Sequence, residues 1–261
     1  MKKLLILIVL PVLLLIVKVP AHAEQTQNDT DLIELQAKAS GGDAQAQFEL
    51  GQVYWAGVGV QKDSAKAAHL FRDAADRGHA EAQFTLSYMY LQGDGVPQNL
   101  EAAAEWDRKA AEQGLAEAEV TLASKYRTGS GVQKDYVEAT KWDRKAAEKG
   151  FVDGELLLGV DYCSGRGVER DCAEGITWLV KAADRGNPAA QRNLAIAYYN
   201  GDGVVRDIVQ SSMWLQLAAK DGDSEAMTLL HVVDSSLTSK QLEEAKRRAI
   251  KWKAAPNGNR E

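Results

Sequence analysis

Few residues of this chain have the types and spacing for bond-making chemistry. Outside the first 23 residues the histidines are His69, His79 and His231, scattered without the spacing of metal ligands. Paired acids such as Glu243 and Glu244 fit an ordinary helix surface. The recurring Gly-x-Gly lacks a third glycine and follows a helical pattern rather than a strand, so it reads as a turn and not as a nucleotide cradle. No catalytic residue, cofactor or metal ligand is assigned on this basis, and the chain is not expected to be an enzyme. Cys163 and Cys172 are the exception, one closing a helical pattern and the other opening the next. A disulfide is expected between them if their Cα atoms come within about 7 Å and the chain is exported to an oxidising compartment. A free or redox-active pair is the alternative. Closing so short a loop would contribute about 2 to 4 kcal/mol, offsetting part of the cost of Gly154 and Gly175 in the flanking helices.

These residues are positioned by a period. Gly78, Gly114, Gly150, Gly186 and Gly222 stand 36 residues apart without a slip, dividing the chain into units 43–78, 79–114, 115–150, 151–186 and 187–222. A period of this length marks stacked supersecondary units. Each unit reads as two helices around a loop. Ala46, Leu50 and Tyr54 recur as Ala82, Leu86, Tyr90 and as Ala118, Leu122, Tyr126, one buried face of a first helix. The loops run 57–60, 93–96, 129–132, 165–168 and 201–204, two glycines framing one residue and a valine after; the glycines supply positive φ and the valine plugs the turn onto the core. Asp63, Asn99, Asp135, Asp171 and Asp207 are placed to cap the second helices, with Glu138 and Glu174 in capping-box relation. Trp106, Trp142, Trp178 and Trp214 recur on the second helices, where Leu70 stands in the first unit, and read as a structural ladder.

The ends are expected to be capped. Residues 32–42 read as a lone capping helix, and 223–253 as a partial repeat followed by a final helix opened by a Thr238/Gln241 capping box. Residues 24–31 and 254–261 are expected to be disordered. Residues 1–23 carry Lys2 and Lys3, an apolar run from Leu4 to Val17 and Ala21-His22-Ala23, the pattern of a cleavable signal peptide cut near Ala23. The apolar run is shorter than the ~20 residues of a membrane span, so no membrane insertion is expected after cleavage. Cleavage takes the basic count from 31 to 28 against 37 acids, moving the net charge from −6 to about −9. That balance disfavours nucleic acid and anionic membranes as partners.

The motif Ala-x-Ala-Gln-x-x-Leu-Gly-x-x-Tyr-x-x-Gly-x-Gly-Val, then Asp, Lys-Ala, Trp and Lys-Ala-Ala-x-x-Gly, resembles the Sel-1-like repeat, a relative of the tetratricopeptide repeat, over Asp43 to Gly222. The resemblance implies an all-α fold, an α/α superhelical solenoid of about five helix-turn-helix repeats. It also implies an adaptor that works by binding another protein. Many bacterial members are exported, so the expected location is the periplasm or outside the cell. Two uses compete: a regulator of envelope machinery or of a membrane sensor, and an immunity protein against a secreted toxin such as a lipase. A hydrolase acting on cell-wall material or β-lactams is the enzyme alternative, and no Ser-x-x-Lys supports it. Cysteine-rich relatives use disulfides at a different register from Cys163 and Cys172.

In related superhelices the first helices line the concave face, and positions that vary there are free to recognise a partner. Those positions are Gln45, Glu49, Glu81, Thr85, Gln92, Glu117, Thr121, Thr128, Asn193 and Asn200. A merely solvated face is the alternative. Trp55, Tyr88 and Tyr199, on an adjoining stripe, are candidate aromatic anchors; inter-repeat packing is the competing role.

Overall fold

The computed structural model describes residues 25–252. The expected signal segment and the tail 254–261 lie outside them. Among the described residues there are thirteen helices and no strand, so the fold is an all-α array of helix-turn-helix repeats. The chain divides into two compact units, one ending at Leu115 and the other beginning at Ala116. The first holds α1 (Gln25–Ser40), α2 (Ala44–Ala56), α3 (Ser64–Asp76), α4 (Ala80–Gln92) and α5 (Leu100–Glu112). The second holds α6 (Ala116–Thr128), α7 (Tyr136–Glu148), α8 (Val152–Ser164), α9 (Cys172–Asp184), α10 (Pro188–Asn200), α11 (Ile208–Lys220), α12 (Ser224–Ser235) and α13 (Ser239–Lys251). Among the described residues no helix is long and apolar enough to cross a membrane.

Helix α1 starts at Gln25, earlier than the expected Leu32. No proline or glycine stands between Gln25 and Ser40 to stop it, and Leu32 and Leu35 pack it against Ala46 and Leu50. At the other end Ala249 and Trp252 pack onto the core of the second unit, and Thr238 and Gln241 form both bonds of the capping box.

The loops do more than reverse the chain. The first glycine of each ends a helix: Gly57, at φ 72, donates its N–H to Val53 O. Whereas Gly59 in the first loop faces open space, at Gly95 and Gly167 the second glycine allows contact between repeats, because a Cβ would lie 2.1 Å from Ser64 O in the one and 2.0 Å from Tyr136 O in the other. Each of these loops rests on the first turn of the preceding repeat's second helix, where only a bare backbone fits. Val96 and Val204 pack against the cores beneath them. The second-helix caps form, with Asp63 Oδ1 accepting Lys66 N–H at 2.9 Å and Asn99 Oδ1 accepting Ala102 N–H at 3.0 Å. The reciprocal bonds expected from Glu138 and Glu174 are absent. Glu138 pairs with Lys141, and Glu174 accepts Trp178 Nε1–H, so neither turns back to its cap residue.

In the first unit Phe71 is wholly buried, its ring occupying space that a Cβ on Gly51 would invade at 2.6 Å. Phe48 lies 5.6 Å from that ring and stacks on His79 at 4.6 Å. In the ladder, Trp142 and Trp214 are buried and Trp106 and Trp178 half-buried. The ammonium groups of Lys109, Lys145 and Lys181, each one turn on, sit over Trp106, Trp142 and Trp178 at 3.8, 3.7 and 3.7 Å. Trp214 instead meets Trp252 edge-on.

One buried polar position recurs on the first helices. Gln47, Gln83 and Gln191 donate Nε2–H to Ala39 O, Ala75 O and Ala183 O at 3.1, 3.0 and 3.2 Å, satisfying carbonyls at the end of the preceding helix. Where the position is Glu119 or Glu155 there is no side-chain amide N–H to donate. A cation thirty residues on answers the carboxylate: Lys149 reaches Glu119 at 2.6 Å, and Arg185 bonds both Glu155 and Gly150 O. Gln113 fills the same role for Gln83, donating to its Oε1 at 2.7 Å.

Candidate partner-binding face

In the first unit, Gln45 and Glu49 are exposed on α2 and joined, Gln45 Nε2 donating to Glu49 Oε1 at 2.7 Å. His79 caps α4: its Nδ1 accepts Ala82 N–H, leaving Nε2 to donate to Gln45 Oε1 at 2.8 Å. Its role is to fix a helix start and orient Gln45. Glu81 and Gln92 are exposed on α4. Thr85, expected on the same face, is only 1% exposed and donates its hydroxyl to Glu81 O at 2.8 Å. The helix turns that position inward, where a back-bonded threonine packs as a small apolar residue, so it presents nothing to a partner.

The aromatic candidates are half-buried. Trp55 donates Nε1–H to Asp94 in the next loop at 2.7 Å and meets Phe71 edge-on and Tyr88 at 6.0 Å. Burial, and secondarily the Asp94 charge, raises the Tyr88 pKa. These rings pack between repeats and keep one edge in solvent. Tyr199, in the second unit, packs on the core with the Arg206 guanidinium 5.6 Å above its ring.

The second unit presents Thr128 and Asn200 exposed, and Glu117, Thr121 and Asn193 half-buried. Thr121 and Asn193 bond their own helices, to Glu117 O at 2.8 Å and Ala189 O at 2.7 Å. Cys163 and Cys172 form the disulfide, Cα atoms 4.0 Å apart. The same approach explains Gly175 beside it, since a Cβ there would lie 2.6 Å from Gly159 O and 2.8 Å from Cys163 Sγ. Gly175 is therefore required by close packing of α8 on α9. Gly154 is equally tight, a Cβ there meeting Ala146 Cβ and Ala147 N at 2.8 Å.

A charged cluster lies beneath this face. Arg127 of α6 bonds Asp143 of α7 and, at 2.7 Å, Asp161 of α8; Thr140 Oγ1 donates to the same Asp161 oxygen at 2.9 Å. Both carboxylates are buried. Burial pushes Asp143 from its ordinary 3.8 up to about 7, against the pull of Arg127, and nearby Asp161 adds to the rise. Burial also works against the Arg127 charge, but the two carboxylates more than offset it and hold the guanidinium above its usual pKa. The repeat pattern alone does not give Arg127 these partners. The signal in the sequence is a departure from the apolar pattern: aspartate stands at 143, as it does at 107, where the remaining repeats carry Phe71, Leu179 and Leu215, and arginine stands at 127 where the other repeats carry Trp55, Leu91, Cys163 and Tyr199.

The Sel1 repeat pattern matches the chain five times in succession, over residues 44–79, 80–115, 116–151, 152–187 and 188–223. A protective antigen present in uropathogenic Escherichia coli strains, with an SLR fold, is 35% identical over 83% of this chain, with a TM-score of 0.74. The match covers 47% of that antigen, so the present chain spans about half its length. A Sel1 repeat protein from Oxalobacter formigenes is 31% identical over 84% of this chain and 99% of its own, with a TM-score of 0.73. No curated protein matches the chain significantly.

Proposed function

Because the chain belongs to the Sel1 repeat family, we propose that it is an exported scaffold which binds another protein stoichiometrically through the variable polar face of its first helices. One observation carries this reading. Core positions repeat from unit to unit, while an exposed position near the end of each first helix changes, from Ala56 to Gln92, Thr128, Ser164 and Asn200. A surface that varies over a constant frame is what repeat proteins use for recognition. Trp55 and Tyr88, half-buried and rigidly packed, are the aromatic anchors of that face in the first unit. The proposed compartment is the periplasm or the cell exterior. The signal-like start and the pairing of both cysteines support it.

Thr121→Arg tests the face. The processed, tagged protein and this variant are used to capture partners from envelope extract, with identification by mass spectrometry. The expected result is one stoichiometric partner held by the parent and lost by the variant, both melting at the same temperature. Equal capture by the two would refute the assignment, and turnover of a substrate by the purified protein would refute the scaffold role itself.

A further inference from the structure

The end of the second unit carries a surface unlike the rest of the chain. Two adjoining hollows of about 620 and 740 Å3 open where the start of α11 meets α13. Val209 and Gln241 line both, which makes them one trough, with Val205 at one end and Ile250 at the other. Val205 is 89% and Ile250 84% exposed, the highest values among the large apolar side chains of the described residues. Neither gains burial free energy where it stands. The walls are tied together, Arg248 of α13 donating to Gln210 Oε1 of α11 at 3.0 Å and lying 3.6 Å from the Asp207 carboxylate.

The charge of this trough opposes that of the whole chain. Against a net charge of −6, α13 carries Lys240, Lys246, Arg247, Arg248 and Lys251 with only Glu243 and Glu244 to balance them. All of these but Arg248 line the hollow that contains Ile250. A basic rim around an apolar centre selects for its opposite in charge and its like in polarity.

We propose that this trough docks an acidic, apolar segment of another protein, with a bulky apolar side chain seated over Val209 between Val205 and Ile250 and carboxylates facing the lysines and arginine of the rim. Its concavity favours an inserted side chain over a flat bilayer. The trough is lined by α11, α13, the loop before α11 and Tyr198 of α10, and none of its lining residues is a position of the proposed recognition face, so substitutions test the two surfaces separately.

The test is a selection of random displayed peptides of about 12 residues on the immobilised protein, with a Val205→Asp/Ile250→Asp variant for comparison. Both replaced side chains are exposed, and circular dichroism and melting check that the variant folds. Enriched peptides should combine net negative charge with at least one large apolar residue. A synthetic copy of the strongest should bind the variant roughly tenfold more weakly. Lys246→Glu/Arg247→Glu should weaken it similarly, and rising salt should weaken binding to the parent. No enrichment, enrichment of neutral or basic peptides, or equal binding to parent and variants would overturn the proposal. So would flotation with phosphatidylglycerol vesicles that Ile250→Asp abolishes, which would assign the trough to a membrane, or self-association in sedimentation abolished by the same change, which would assign it to a second copy.

Discussion

Asp143 is a carboxyl whose surroundings ask it to be two things. Arg127 favours its charge, while burial and the neighbouring Asp161 oppose it, and opposition prevails. The folded protein therefore holds a proton on Asp143 more tightly than the unfolded chain does. This group favours folding at low pH, and its contribution is lost as pH rises from about 4 through about 7. Asp143→Asn, which cannot titrate, should remove that slope: melting temperature followed against pH should fall more steeply for the parent than for the variant between those limits. Parallel curves would show that Asp143 ionises normally. A different residue-scale demand falls on Gly175. Gly175→Ala should destabilise by about 1 to 3 kcal/mol through overpacking, because the new methyl meets Gly159 O and Cys163 Sγ. A denaturation midpoint equal to that of the parent would mean that α8 and α9 can part without cost.

At the scale of elements, the period made the helices, loop glycines and tryptophan ladder legible, because each repeat restates the same contact. Trp142→Ala should cost about 3 to 5 kcal/mol, since the indole is buried and covered by Lys145. An unchanged melting curve would remove the ladder from the core. What the pattern could not convey was orientation within a turn or two. Thr85 shares a helix with exposed Glu81 and Gln92 yet points inward, and Glu138 satisfied the capping-box spacing yet chose Lys141. Spacing states which residues can meet; competition among neighbours decides which do. The Arg127 cluster is not legible from spacing for a related reason, as it joins three helices with partners 16 and 34 residues away, off the period.

For the whole molecule, export is the claim with the widest consequence. Residues 1–23 are outside the described part of the chain, so the sequence alone supports the cleavage site. N-terminal sequencing of protein recovered from the periplasm should begin Glu24-Gln25-Thr26. A cytoplasmic product retaining Met1 would remove both the proposed compartment and the oxidising conditions that suit the disulfide.

The polar pairs thirty residues apart bear on how such a chain can grow. Glu119 and Lys149 lie within one 36-residue stretch, as do Glu155 and Arg185, and Gln83 and Gln113. A duplication that copies one stretch copies both members, so buried Glu119 or Glu155 would arrive in the descendant with its counterion. One of the contacts that join successive stretches asks only for glycine against main chain, as at Gly95 and Gly167, and any neighbour with that backbone can supply it. A pair held inside one stretch can thus be copied as a block, whereas one that crosses stretches, as Arg127 with Asp161, needs two neighbours in the right order.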